Sequence, residues 1–139
     1  MKISDIEKRH LVEELEYLSK KIEESRDFPV ANFYFSAAYG AFDKILKSDY
    51  SRSILFTEEI LQMAYLRTTS LLQDANLQKV IGQERMMRIM MQIAKDIRDL
   101  AVNIMKGSDT IEKLSEIVEL AYTLTGPGIY LRDMGKIKV

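Results

Sequence analysis

Glu7-Lys8-Arg9-His10 places a carboxylate and an imidazole three residues apart, with Glu13 and Glu14 following within a turn. On a helix that spacing turns both groups to one face, but a metal centre built this way in a bundle takes two such pairs and two further glutamates. The chain has a single histidine, so no metal site is expected. Asp96 and Asp99, with Glu112, Glu116 and Glu119 beyond them, offer a second arrangement, because carboxylates from adjacent helices can hold Mg²⁺ against a substrate phosphate. Their register sets them beside the apolar lines rather than on them, which predicts a solvated, salt-bridged surface. A third group is cationic. Lys79, Arg85, Arg88, Lys95, Arg98 and Lys106 outnumber the local acids, and Arg85 with Arg88 is the candidate anion, nucleotide or cofactor-binding pair. Glu84 precedes Arg88 by four residues, the favourable order for an ion pair, so part of this charge is expected to be neutralised. No catalytic residue can be singled out.

Composition narrows the field further. Lys and Arg number 20 against 21 Asp and Glu, a formal charge of −1, so no global field draws nucleic acid or anionic lipid to the chain. There is no cysteine, which removes disulfides, thiol nucleophiles and Cys-based zinc sites, and fits a reducing, cytoplasmic setting. The start, Met1-Lys2-Ile3-Ser4-Asp5, turns charged at once, and no apolar run approaches the roughly 18 residues of a membrane span. No membrane partner is expected. With 47% hydrophobic and 29% charged residues in 139, the composition is that of one ordinary folded domain.

Period then assigns the elements that must position these groups. Ser4 and Glu7 have capping-box spacing and open a first predicted helix running to about residue 26, with Leu11, Leu15, Leu18 and Ile22 on its inner line. Asp27-Phe28-Pro29 breaks it, and Pro29 suits the first turn of a second helix over residues 30–47 carrying Phe33, Tyr34, Phe35, Tyr39 and Phe42. A third helix starts between residues 51 and 57 with Ile54, Leu61, Tyr65, Thr68 and Leu72 inward; Asp74-Ala75-Asn76 ends it or merely kinks it. The fourth, from residue 78 or 83 to 106, bears Met87, Met90, Ala94, Ile97, Ala101 and Ile104 in an unbroken 3-4 repeat and stops at Gly107. Asp109 and Glu112 look like a capping pair for a fifth helix, whose inner line is Ile111, Leu114, Val118, Ala121 and Thr125, until Gly126-Pro127-Gly128 ends it. The tail from Ile129 to Val139, with Leu131, Met134 and Ile137, is too apolar to be solvated and is expected to dock. The fold class is therefore all-α, an up-and-down bundle of four or five helices with a short C-terminal tail.

The helix order, the segment Gln83-Glu84-Arg85-Met86-Met87-Arg88-Ile89-Met90-Met91 and the Gly126-Pro127-Gly128 break together resemble a small group of archaeal bundle proteins, similar in architecture to the trimeric cobalamin adenosyltransferases. The Gly/Thr/Asp-rich N-terminal nucleotide loop of that family has no counterpart here, and Arg85 and Arg88 are all that echoes its basic cluster. The resemblance implies a fold; it does not carry ATP or corrinoid binding over, and no cofactor is expected.

Apolar side chains on more than one face of the second, third and fourth predicted helices exceed what one small core can cover. The expected role is accordingly that of a self-associating structural or partner-binding module, joined through the second helix and the Met-rich fourth. Methionines at 86, 87, 90 and 91 suit such an adaptable surface. The alternative is a nucleotide-handling enzyme, either adenosyltransferase-like at Arg85 and Arg88 or, like the MazG pyrophosphohydrolases, built on Asp96, Asp99, Glu112 and Glu116.

Overall fold

The Ser4 hydroxyl accepts a hydrogen bond from the Glu7 amide at 3.2 Å, and α1, Asp5–Glu24, begins where its capping residue sets it. Asp27 does the same for α2, Phe28–Leu46, receiving the Val30 amide at 2.9 Å with Pro29 in the first turn. These contacts belong to a computed structural model that describes residues 3–138. Met1, Lys2 and Val139, the last residue of the expected docking tail, lie outside the described residues. After α3, Arg52–Leu72, come a short α4, Ala75–Ile81, the long α5, Gln83–Lys106, then α6, Ile111–Tyr122, and α7, Gly126–Asp133.

The described residues are all helical, with no strand, but they form seven helices rather than four or five. Both additions come from local chemistry that pattern alone did not resolve. Asp74 caps α4 through the Leu77 amide at 2.9 Å, and Gly82, at φ +87°, turns the chain before α5 can start, so α3 and α5 are separate rods and not one kinked helix. Gly126-Pro127-Gly128 ends α6 as expected but also opens α7, because the Thr125 hydroxyl accepts the Gly128 amide at 3.1 Å and Pro127 needs no amide partner there. The predicted capping pair at Asp109 and Glu112 does not form. Asp109 instead accepts the Ile111 amide two residues on at 2.9 Å, and Thr110 occupies the cap position without a side-chain bond.

Five of the helices close a ring in the order α1, α2, α3, α6, α5, and α2 also meets α5 across its centre. Glu7 meets Ser48, and Glu14 meets Lys44 at 2.6 Å, so α1 and α2 run antiparallel. Phe56 and Ile111 share one end of the α3–α6 seam while Arg67 and Tyr122 share the other, so that pair is parallel. Leu11, Leu15, Leu18 and Ile22 are buried as the register predicts, and so are Met90, Ala94, Ile97, Ala101 and Ile104. On α6 the inner line is rotated from the expected one. Leu114, Ile117, Ala121 and Leu124 are buried, while Ile111 is half exposed and Val118 only partly covered. The periodic reading had two apolar lines to choose between, and α5 selects the one that includes Ile117.

Two polar bridges cross the core. Ser19 donates to the Ala94 carbonyl at 2.7 Å between α1 and α5, and Thr68 donates to the Asn32 carboxamide oxygen at 2.5 Å while the Asn32 amide reaches Thr69 at 2.9 Å between α2 and α3. Each satisfies buried groups that would otherwise oppose folding. The tail docks as expected in part: Ile129 is buried and Leu131 and Ile137 are partly covered, but Met134 stays exposed. No described helix is long and apolar enough to cross a membrane.

Two glycines make opposite predictions. A Cβ on Gly128 would collide with the Tyr122 carbonyl group, which is backbone and cannot swing aside, whereas one on Gly40, inside α2, meets nothing within 4 Å. Gly128→Ala should lower unfolding free energy by about 1–3 kcal/mol, and Gly40→Ala should raise it by about 0.5–1 kcal/mol. Urea titrations of the two variants beside the parent chain measure both.

Candidate functional site

His10 is exposed, and the glutamates on either side of it are engaged with α2 rather than with it. Glu14 forms an ion pair with Lys44, and Glu7 accepts from Ser48 at 3.3 Å. Among the described residues no three histidine, aspartate or glutamate side chains gather in a way that could hold a metal ion.

The acids of α5 and α6 behave otherwise than their register suggested. Asp96 is not solvated: only 1% of it is exposed, one of its carboxylate oxygens has no hydrogen-bond partner, and it sits in the α5–α6 seam facing Glu116. The rotation of α6 toward Ile117 is the reason, since it brings the neighbouring Glu116 into the same seam. Asp99 and Glu116 are half-buried and share Lys113, at 3.6 Å and 3.2 Å, while Glu112 and Glu119 remain outside in water. Burial is the main cause that lifts the Asp96 carboxyl from 3.8 to about 7; the Glu116 charge and a hydrogen bond with Glu116 push the same way, and Lys113 and Gln92 push against it. The Glu116 hydrogen bond raises Lys113 in turn, aided by the charges of Glu116, Asp96 and Asp99 against its own partial desolvation. Three carboxyls and a lysine thus form an ionic cluster, with only Asp96 fully buried.

Arg85 and Arg88 do converge. They line a pocket of about 390 Å³ at the head of α5, over Ile89 and Leu120, with Gln92 at its inner side and Lys138 from the C-terminal tail closing it. The predicted Glu84–Arg88 pair is absent: neither arginine has a carboxylate within 4.0 Å among the described residues, although Arg98, one face away, pairs with Glu23. Arg88 borders the pocket instead of folding back along its own helix.

The apolar residues assigned to self-association are for the most part absorbed by the chain's own core. Phe35, Phe42, Met86 and Met90 are buried, leaving Phe33 and Met91 outside. Uncovered apolar residues also line up along α3 and α6. Phe56, Ile60, Met63 and Arg67 follow one another at gaps of four, three and four; so do Ile111, Ser115, Val118 and Tyr122. Phe56 and Ile60 of the first line and all four residues of the second wall a groove of about 360 Å³ over Leu114; Met63 and Arg67 continue the first line along α3, where the Arg67 guanidinium lies 5.1 Å from the Tyr122 ring centroid. Phe56 is 50% exposed, Met63 47% and Ile111 48%. That doubled spacing was present in the sequence, and its signal was a second apolar line on each helix beside the inner one.

A further acidic cluster joins α2 to α3, where Glu58 is buried near Asp43 and Glu59. Burial foremost, then a hydrogen bond with Glu59 and the charges of Glu59 and Asp43, raises its carboxyl above the usual range. Tyr39 beside it is raised as well, by burial first and then by Tyr65, Glu58 and Asp43.

No family model matches the chain, and no curated protein or solved structure matches it. The resemblance to adenosyltransferase bundles therefore gains no support from comparison.

The Asp96 carboxyl makes stability depend on pH in a definite direction. Its folded value, about 7, lies above the ordinary 3.8, so the folded chain holds this proton more tightly than the unfolded one does. The stabilisation is complete below about pH 3.8 and is lost as pH rises through about 7. Asp96→Asn keeps the shape and removes the titration. At pH 8 this variant should be more stable than the parent by about 1–3 kcal/mol, with the gap closing below pH 5; chemical denaturation across pH 4–8 tests it.

Proposed function

We propose that the chain is a self-associating helical-bundle module whose second copy docks on the α3–α6 groove. The observation that supports this reading is the groove itself: two parallel walls of apolar side chains at helical spacing, half exposed, with no element of the chain laid over them. Apolar patches of this kind on a small domain mark contact surfaces. The 4-3-4 spacing of both lines suits ridges of the same spacing, which a second copy supplies from its own α3 and α6. This relocates the contact from α2 and α5, whose Phe35, Phe42, Met86 and Met90 are already used in the core.

The size of the face decides the strength. α6 has 12 residues and is therefore about 18 Å long, so two adjacent helices offer roughly 400–600 Å² per copy, below the roughly 800 Å² of a standard interface. The dimer should dissociate in the micromolar range and not be obligate.

Small-molecule binding is the second reading, and the Arg85–Arg88 pocket favours it. Hydrolysis of a nucleotide through Mg²⁺ on Asp96, Asp99, Glu112 and Glu116 receives less support, because only Asp96 and Glu116 come together while Glu112 points to solvent.

Sedimentation equilibrium from about 1 to 500 µM should show a reversible dimer, and Ile111→Lys or Phe56→Lys, each placing a charge on the groove wall, should weaken it at least tenfold with helicity unchanged. Phe33→Lys and Met91→Lys, on α2 and α5, should leave it intact. A strict monomer throughout that range overturns the proposal.

A further inference from the structure

We infer that the pocket at the head of α5 is a binding site for a small phosphorylated molecule, its phosphate gripped by Arg85, Arg88 and Lys138 and its body resting on Ile89 and Leu120. Three cationic side chains border one hollow of about 390 Å³, a size within the range of small-ligand sites. Like charges gathered around a cavity repel one another, and an anion between them reverses the sign of that interaction. On the same helix and its neighbour Arg98 is neutralised by Glu23 and Lys113 by Asp99 and Glu116, whereas Arg85 and Arg88 have no acidic partner within 4.0 Å among the described residues; Lys95 and Lys106 are unpaired too, but they line no pocket with a second cation. Position adds to this. Arg85 stands in the first turn of α5, where the cap residue Gly82 contributes no side-chain acceptor and the helix dipole presents its positive end.

The chemistry of the walls selects the ligand class. A monocarboxylate balances one of the three charges, while a phosphate dianion balances two and presents oxygens to both guanidinium forks. Ile89 is buried and Leu120 nearly so, so the floor is apolar and favours a ligand with a flat or aliphatic body over inorganic phosphate. The Gln92 carboxamide on the same wall supplies a neutral polar contact. The site lies at the α5–α6 seam, away from the α3–α6 groove, and its occupation does not depend on self-association.

Phenyl phosphate, inorganic phosphate and benzoate, titrated at constant ionic strength into ¹⁵N-labelled protein, test the assignment. Phenyl phosphate should give saturable shifts at the amides of residues 85–92 and 120, and should bind about tenfold or more tightly than inorganic phosphate, by virtue of the buried ring. Arg85→Gln with Arg88→Gln should weaken it about a hundredfold and Lys138→Gln several-fold, while Lys95→Gln with Lys106→Gln, on the same helix but outside the pocket, should change nothing. Arg88 is exposed and Arg85 half-exposed, and unchanged circular dichroism verifies that both variants fold. Shifts that stay linear in ligand to about 20 mM, binding undiminished in the double arginine variant, or benzoate binding as tightly as phenyl phosphate would each overturn the inference.

Discussion

Lengthwise burial of α5 is the interaction on which the rest of this structure depends. Its 24 residues lie against α1 on one side, α6 on the other and α2 across the middle. Ten of its side chains are buried, on a face too wide for a single partner to cover. That width explains the ring of five helices better than any one contact does, because each neighbour of α5 must bring its own apolar line and a length to match. Ser19 and Ala94 are small where α1 and α5 touch, and their hydrogen bond sits where a larger residue would hold the helices apart.

The same width brings an acid into the seam. Asp96 lies on the side of α5 that α6 covers, so packing the apolar line forces a carboxylate out of water. The Glu116 charge favours the protonated Asp96 carboxyl, while Lys113 offsets the charge of the group. Such an arrangement stabilises less than an apolar pair of similar shape would. Its neighbour Gln92 also lines the cationic pocket, so the buried acid and that pocket share the α5–α6 seam, while an open apolar groove runs along another, α3–α6.

Helix positions were legible because caps and breakers act over three or four residues. Ser4, Pro29 and Gly107 each do in the structure what their types and spacing predict, while Asp27, read as part of a break, caps α2 two residues earlier than expected. Where two local devices compete, legibility fails: Gly126-Pro127-Gly128 both ends one helix and starts another, and Asp109 forms a two-residue turn where a capping box was expected. The candidate site was legible in half. Arg85 and Arg88 could be named from charge alone, but Lys138 is some fifty positions away along the chain and enters the pocket only because the tail folds back onto α5 and α6.

Composition and periodicity by themselves determined that this chain is all-α, where α1 starts and α5 stops, and which line of α1 and of α5 faces inward, because these depend on interactions within one helical turn or on a single unambiguous apolar stripe. Only the tertiary structure decided which of two apolar lines α6 turns inward, and with it the burial of Asp96, the Glu116 contact and the open groove beside Phe56 and Ile111. The physical reason is that an amphipathic helix with two usable faces has no preference of its own; the neighbours it packs between, here α3 and α5, make the choice.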